Sequence, residues 1–244
     1  MDKILDKIKE NKKLLVIVGI VFVIIVIVVV FLVKSVFFSS SNLDSRSFIK
    51  EYEELNGEKT KDGKEYPEVK IPDDSNIEYL TIEEALDILD NGTATIYIGY
   101  PECLYCRSAV QVLLDTAVKS DINKVYYLDI SELWSVKEIN KKGKIVTKQK
   151  ADKNYSKLLK ELDDLHVEDY VLIDDEGKEV GTKEKRVITP LVLFVVNGDI
   201  VSFNVGTLFS QEDPYVPLNQ EQVDGLSGIY SYGFKDVLNG LNNK

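Results

Sequence analysis

The chain has 244 residues, with 41 acidic and 30 basic side chains, a formal net charge of −11, two cysteines and one histidine. Residues 1–34 carry a net +3, so the remainder holds −14, which argues against a nucleic-acid partner and against a polybasic lipid contact by the soluble part. Two cysteines are too few for a disulfide-stapled scaffold, so an ordinary hydrophobic core must hold any folded domain together.

The first element is Leu14–Val33, "LLVIVGIVFVIIVIVVVFLV", without a charge or a proline. As a helix it is about 30 Å long, the thickness of the hydrocarbon layer of a bilayer. A cleaved secretory signal has a shorter apolar stretch, of roughly 7–15 residues, before a small-residue cleavage site. Here "KSVFFSSSN" follows instead, and the segment reads as an uncleaved transmembrane signal anchor over 14–33. Lys3, Lys7, Lys9, Lys12 and Lys13 precede it, against Lys34, Arg46 and Lys50 after it. By the positive-inside rule, residues 1–13 lie in the cytoplasm. The expectation is a single-pass protein of the cell membrane with its C-terminal domain extracytoplasmic.

Residues 34–75 are polar and interrupted by Gly57, Gly63, Pro67 and Pro72, and read as a stalk with a possible helix over Ser45–Leu55. A folded domain is expected over 76–244. "IEYL" from Ile77 is a strand candidate. Thr81 and Glu84 form a capping-box pattern opening a helix that ends at Gly92. "TATIYIGY" is β-rich. Cys103–Lys119 then reads as an amphipathic helix, with Cys106, Ala109 or Val110, Leu113 or Leu114, and Ala117 at three- and four-residue spacing. Lys124–Ile130 is a second buried strand.

Residues 131–186 form a long polar section, with a helix candidate over Asn154–Leu165 and a hairpin turning at Glu176–Gly177. "VITPLVLFVVNGDIVSFNVG" reads as two strands joined at Asn197–Gly198. A closing helix between Asn219 and Leu238 places Val223, Leu226, Ile229 or Tyr230, Phe234 and Val237 on one face, although Gly225, Gly228 and Gly233 weaken the pattern. The order β–α–β–α–β–(insert, α)–β–β–α gives an α/β class, with the cysteines at the carboxyl end of a sheet strand, where chemistry concentrates in open α/β sheets.

Spacing alone lets Cys103 and Cys106 be a structural disulfide, two inert core thiols or a redox pair. Zinc fails on ligand count, since two Cys and one His fall short of four. His166, in the polar section, reads as a surface residue, and the acidic turn "IDDEGKE" lacks a calcium loop's ligand pattern. The strand-to-helix position favours the redox pair. A thiolate at a helix N-terminus is stabilised by free N–H groups and the macrodipole, so Cys103 should titrate below the roughly 8.5 of free cysteine. Cys106, one turn deeper, is then the resolving thiol.

A strand, a C-x-x-C opening a helix, and "VITPLVLFVVNG" far downstream together resemble the thioredoxin-like superfamily. The anchored N-terminus and the "CLYCR" form are similar to membrane-anchored thioredoxin-like proteins of Gram-positive bacteria, including bacteriocin transport accessory proteins. The resemblance spans about Ile77–Leu241. It implies a thioredoxin-like fold, a mixed central sheet flanked by helices with an insertion at about 131–186. It further implies that Pro190 is cis and packs against the Cys103–Cys106 bond, and that the Thr189 backbone pairs with an extended substrate segment. Catalytic Cys103 and Cys106 need no cofactor. Tyr105 and Tyr100 could line a peptide groove or simply pack.

Two departures stand out. Leu104–Tyr105 replaces the usual Gly–Pro, which leaves reductase, oxidase and isomerase open. The buried acid that the family carries six residues before the first cysteine is here Tyr97. Glu102 should raise the pKa of Cys103 a little, and Arg107 should pull the other way. The function implied is thiol–disulfide exchange on exported polypeptides, with a membrane redox partner or transporter as a further partner. The alternative is a non-catalytic adaptor that uses the insertion to bind a transport or cell-surface assembly.

Overall fold

A computed structural model describes residues 44–242. The signal anchor at 14–33 and the cytoplasmic residues 1–13 lie outside the described residues. Within them no helix is long and apolar enough to cross a membrane.

The chain runs as α1 (residues 44–53), β1 (Ile77–Tyr79), α2 (Ile82–Asn91), β2 (Ala94–Gly99), α3 (Leu104–Lys119), β3 (Val125–Asp129), β4 (Val136–Ile139), β5 (Ile145–Gln149), α4 (Tyr155–Glu161), β6 (Val167–Ile173), β7 (Glu179–Val187), β8 (Leu191–Val196), β9 (Asp199–Val205) and α5 (Gln220–Asn242). Five strands form a mixed sheet in the order β1-β3-β2-β8-β9. β1 and β2 both run parallel to β3, while β8 is antiparallel to β2 and to β9.

The central strands are apolar throughout because both faces are covered. Alternation sends Ile96, Ile98, Leu191, Leu193 and Val195 to one face, against Ala85 and Leu89 of α2 and Leu158 of α4. Tyr97, Val192 and Phe194 go to the other face, against Phe48 and Tyr52 of α1, Val110 and Leu113 of α3, and Leu226, Tyr230 and Phe234 of α5.

The expected capping box is present. Thr81 N–H donates to Glu84 Oε2 at 2.8 Å, and Thr81 Oγ1 accepts from Glu84 N–H at 3.2 Å. Asn197 and Gly198 have φ of 52° and 88° at the β8–β9 turn, as a tight hairpin of this kind requires. In α5 it is Tyr230 that is buried, while Ile229 is 38% exposed. Gly233, which weakens the helical pattern, is where α5 meets the sheet: a Cβ there would lie 2.3 Å from the Phe194 ring.

Residues 44–75 correct the expected stalk. Phe48 and Tyr52 are fully buried, and Val69 and Ile71 are 2% exposed. Ser45 brackets β1, accepting from Ile77 N–H at 2.9 Å and donating to Ile77 O at 3.2 Å. Asn56 holds the return of the chain, exchanging hydrogen bonds with Val69 N–H and O at 2.9 and 2.7 Å. The compact unit therefore begins at Asp44 rather than at residue 76. A few apolar anchors spaced among Glu, Lys, Gly and Pro do not stand out in sequence, yet they bury as completely as the central strands.

The insertion between β3 and β8 contains two antiparallel hairpins, β4–β5 and β6–β7. The turn at Glu176–Gly177 falls where expected, and Gly177 has φ +80°. The β4–β5 hairpin was not anticipated. Helix α4 is shorter than its sequence pattern, ending at Glu161.

Candidate active site

β2 is buried along its whole length and delivers the chain through Tyr100, Pro101 and Glu102 to Cys103. Cys103 is the N-cap of α3, and its sulfur accepts from the Cys106 N–H at 3.1 Å. The two cysteines form a disulfide with Cα atoms 5.1 Å apart. Cys103 is 8% exposed and Cys106 fully buried, so of the two it is Cys103 that lies nearer the surface. A negative sulfur at Cys103 would face the positive end of a 16-residue helix.

The Thr189–Pro190 peptide is cis. It brings Thr189 Oγ1 to 3.7 Å and Thr189 O to 3.9 Å from Cys103 Sγ. Pro190 is buried, and its carbonyl accepts from Gly206 N–H at 2.7 Å. Cys103, Cys106, Thr189 and Pro190 thus converge from 84 residues apart in sequence. Tyr105 is half-buried on the same turn of α3; among the described residues it shares no hydrogen bond or ring contact with them.

Tyr100 links the site to the insertion. Burial raises its pKa, and the neighbouring Thr189 side chain offsets part of that rise. Its ring meets Trp134 edge-on at 5.4 Å. The Arg186 guanidinium lies 4.6 Å from the Trp134 ring and 3.4 Å from that of Tyr170. Trp134, Tyr170 and Arg186 therefore form a stacked group against Tyr100. No motif in the sequence marks them; the one available cue is that Trp134 is the chain's single tryptophan.

His166 departs from its expected setting, and Arg107 is buried beside the site. His166 is 3% exposed rather than on the surface. Its ring packs 4.3 Å from Phe203 of β9, and its carbonyl accepts from Ile188 N–H, because the insertion folds back over the sheet edge. Arg107 is 1% exposed, and it aims away from the sulfurs. Nε donates to Pro67 O at 2.8 Å, one terminal nitrogen to Tyr52 O at 2.7 Å and Pro101 O at 3.4 Å, the other to Asn56 Oδ1 at 2.7 Å. Desolvation lowers its pKa. These hydrogen bonds tie α3 to residues 52–67.

Behind the disulfide lies an aromatic cluster. Tyr97, Tyr52 and Tyr127 are all fully buried, Tyr97 stacks on Tyr127 at 5.5 Å, and desolvation raises all three pKa values well above the ordinary range. Among the described residues no three His, Cys, Asp or Glu side chains gather as metal ligands.

Fold and site together define a mixed α/β domain with a disulfide capping a helix beside a cis-proline loop. Compared with known proteins, no family model, curated sequence or solved structure matches the chain.

Proposed function

We propose that this chain is a membrane-tethered, extracytoplasmic thiol–disulfide oxidoreductase with a thioredoxin-like fold, acting on exported polypeptides and similar to bacteriocin transport accessory proteins. The observation that carries the reading is the placement of the disulfide: Cys103 at the cap of α3 and within 4 Å of Thr189, Cys106 buried one turn below. The strand order supports the fold assignment, because β8 alone runs against the other four strands and starts beside the end of β2, which puts the C-x-x-C and Thr189–Pro190 on adjacent strand ends.

In exchange, a substrate thiolate attacks Cys103 Sγ and displaces the Cys106 thiolate, giving a mixed disulfide. Attack by a second substrate thiolate on the substrate sulfur releases an oxidised substrate and the reduced pair. Run backwards, the same steps reduce a substrate disulfide. An extended substrate segment pairs with the Thr189 backbone. The anchor raises the enzyme's effective concentration near emerging chains.

The test is an insulin-reduction or scrambled-ribonuclease assay on the full chain in detergent micelles. Parent protein is expected to be active and Cys103→Ser inactive; equal behaviour of the two would end the enzyme reading. The potential of the pair against glutathione then assigns the direction. A value near that of cytosolic thioredoxin marks a reductase, and a much less negative one an oxidase. The adaptor reading draws its support from the insertion, which holds Leu165 and Ile173 at 62% and 61% exposure.

A further inference from the structure

A buried thiol that takes part in exchange must carry negative charge out of reach of water, so its neighbours decide how favourable that is. Cys106 is fully buried. Gly99, at the end of β2, shapes its surroundings. A Cβ on Gly99 would lie 2.7 Å from the Tyr97 hydroxyl oxygen and 3.1 Å from Cys106 Sγ. Hydroxyl and sulfur therefore both border the space that a side chain on Gly99 would occupy. The Tyr97 hydroxyl also pairs with that of Tyr52 at 2.7 Å, and Tyr127 donates to Gly99 O at 3.4 Å.

The other charged groups nearby are engaged elsewhere. Arg107 of α3 is turned to the carbonyls of Tyr52, Pro67 and Pro101 and to Asn56. Asp129 of β3 accepts from the Ser131 N–H and hydroxyl at 2.8 and 2.7 Å, and Glu102 is exposed.

We propose that Tyr97 is the hydrogen-bond donor that stabilises the Cys106 thiolate during exchange, and that Tyr52, brought in by α1, is its positioning residue. The proposal rests on the redox reading above. When the Cys103–Cys106 bond breaks, its electron pair stays on Cys106 and the Tyr97 O–H turns onto that sulfur, while the Tyr52 O–H donates to the Tyr97 oxygen. When Cys106 attacks Cys103 of a mixed disulfide, the donor releases the thiolate, the bond reforms and the substrate leaves as its thiolate. Tyr97 keeps its proton throughout, since burial, and then the neighbouring Tyr52, hold its pKa far above neutrality.

The test uses the full chain in micelles with Cys103→Ser, which leaves Cys106 as its only thiol. Its titration is followed by the carbon-13 shift of labelled cysteine Cβ, with thermal melts alongside. Tyr97→Phe is expected to move the titration upward and to reduce the thiolate fraction below the midpoint about tenfold, as loss of a hydrogen bond to a charged group implies. Tyr52→Phe should shift it less in the same direction, and the double variant no further than Tyr97→Phe alone. An unchanged titration in folded Tyr97→Phe overturns the proposal; if that variant does not fold, an unchanged titration in Tyr52→Phe does so. Should the parent fail to exchange disulfides while the titration shifts as described, the redox reading falls and the donor role stands.

Discussion

Arg107 illustrates how a single side chain can join two parts of a fold. A fully buried guanidinium is tolerated only when its donors are met, and here backbone carbonyls and one amide oxygen meet them. Arg107→Ala is expected to destabilise the domain by about 3 kcal/mol, because it leaves the Tyr52 and Pro67 carbonyls without their donor. Arg107→Lys should recover little of this, since one ammonium cannot span the fork. Urea denaturation would read both, and a Lys variant as stable as the parent would refute the clamp. The neighbours of Arg107 in space come from Asn56 and Pro67, which no local pattern connects with α3. Cys103 and Cys106 stood out from their spacing at a strand-to-helix junction, whereas Thr189 and Pro190 stood out only through the family resemblance.

Among the elements, the strands and helices of the central sheet followed their hydrophobic periodicity closely. The β4–β5 hairpin escaped because both its strands are half-exposed and short, its turn is rich in lysine, and only Gly143 with φ +70° marks that turn. This hairpin is joined to β7 through Glu184, which accepts from the Ser135 hydroxyl and pairs with Lys137 Nζ at 2.9 Å. Desolvation pushes the pKa of Glu184 up, but those two bonds outweigh it and the net shift is downward. A carboxylate with a lowered folded pKa stabilises above its unfolded pKa and loses that contribution as pH falls through the folded value. The β4–β7 contact should therefore hold at neutral pH and loosen as pH falls below the ordinary glutamate range. Backbone amide shifts of Lys137 and Glu184, followed by NMR across that range, check this; Glu184→Gln should remove the pH dependence.

At the scale of the molecule, the segment after residue 43 belongs to the folded unit, not to a spacer. Phe48 meets Tyr52 and Tyr127 with ring centroids 4.6 and 4.7 Å away, so it closes the aromatic cluster behind the disulfide. Phe48→Ala should cost about 3–5 kcal/mol. A truncation beginning at residue 44 is expected to melt cooperatively, whereas one beginning at residue 76 should not, since it loses Phe48, Tyr52, Val69 and Ile71 together. Circular dichroism melts compare the two, and a cooperative transition in the shorter form would restore the stalk.

The sequence by itself determined the features set by nearest neighbours along the chain: the capping box at Thr81, the Asn197–Gly198 turn, the strands of the central sheet, and the cysteines at a strand-to-helix junction. Backbone conformation and burial on one face are read over a few residues, so those signals survive in one dimension. The three-dimensional fold was needed to see that the paired Tyr52 and Tyr97 hydroxyls border Gly99 together with Cys106, that Arg107 faces residues 52–67, and that the insertion stacks Trp134 and Arg186 against Tyr100. Each of these depends on residues far apart in the chain meeting in space, and such encounters leave no periodic trace.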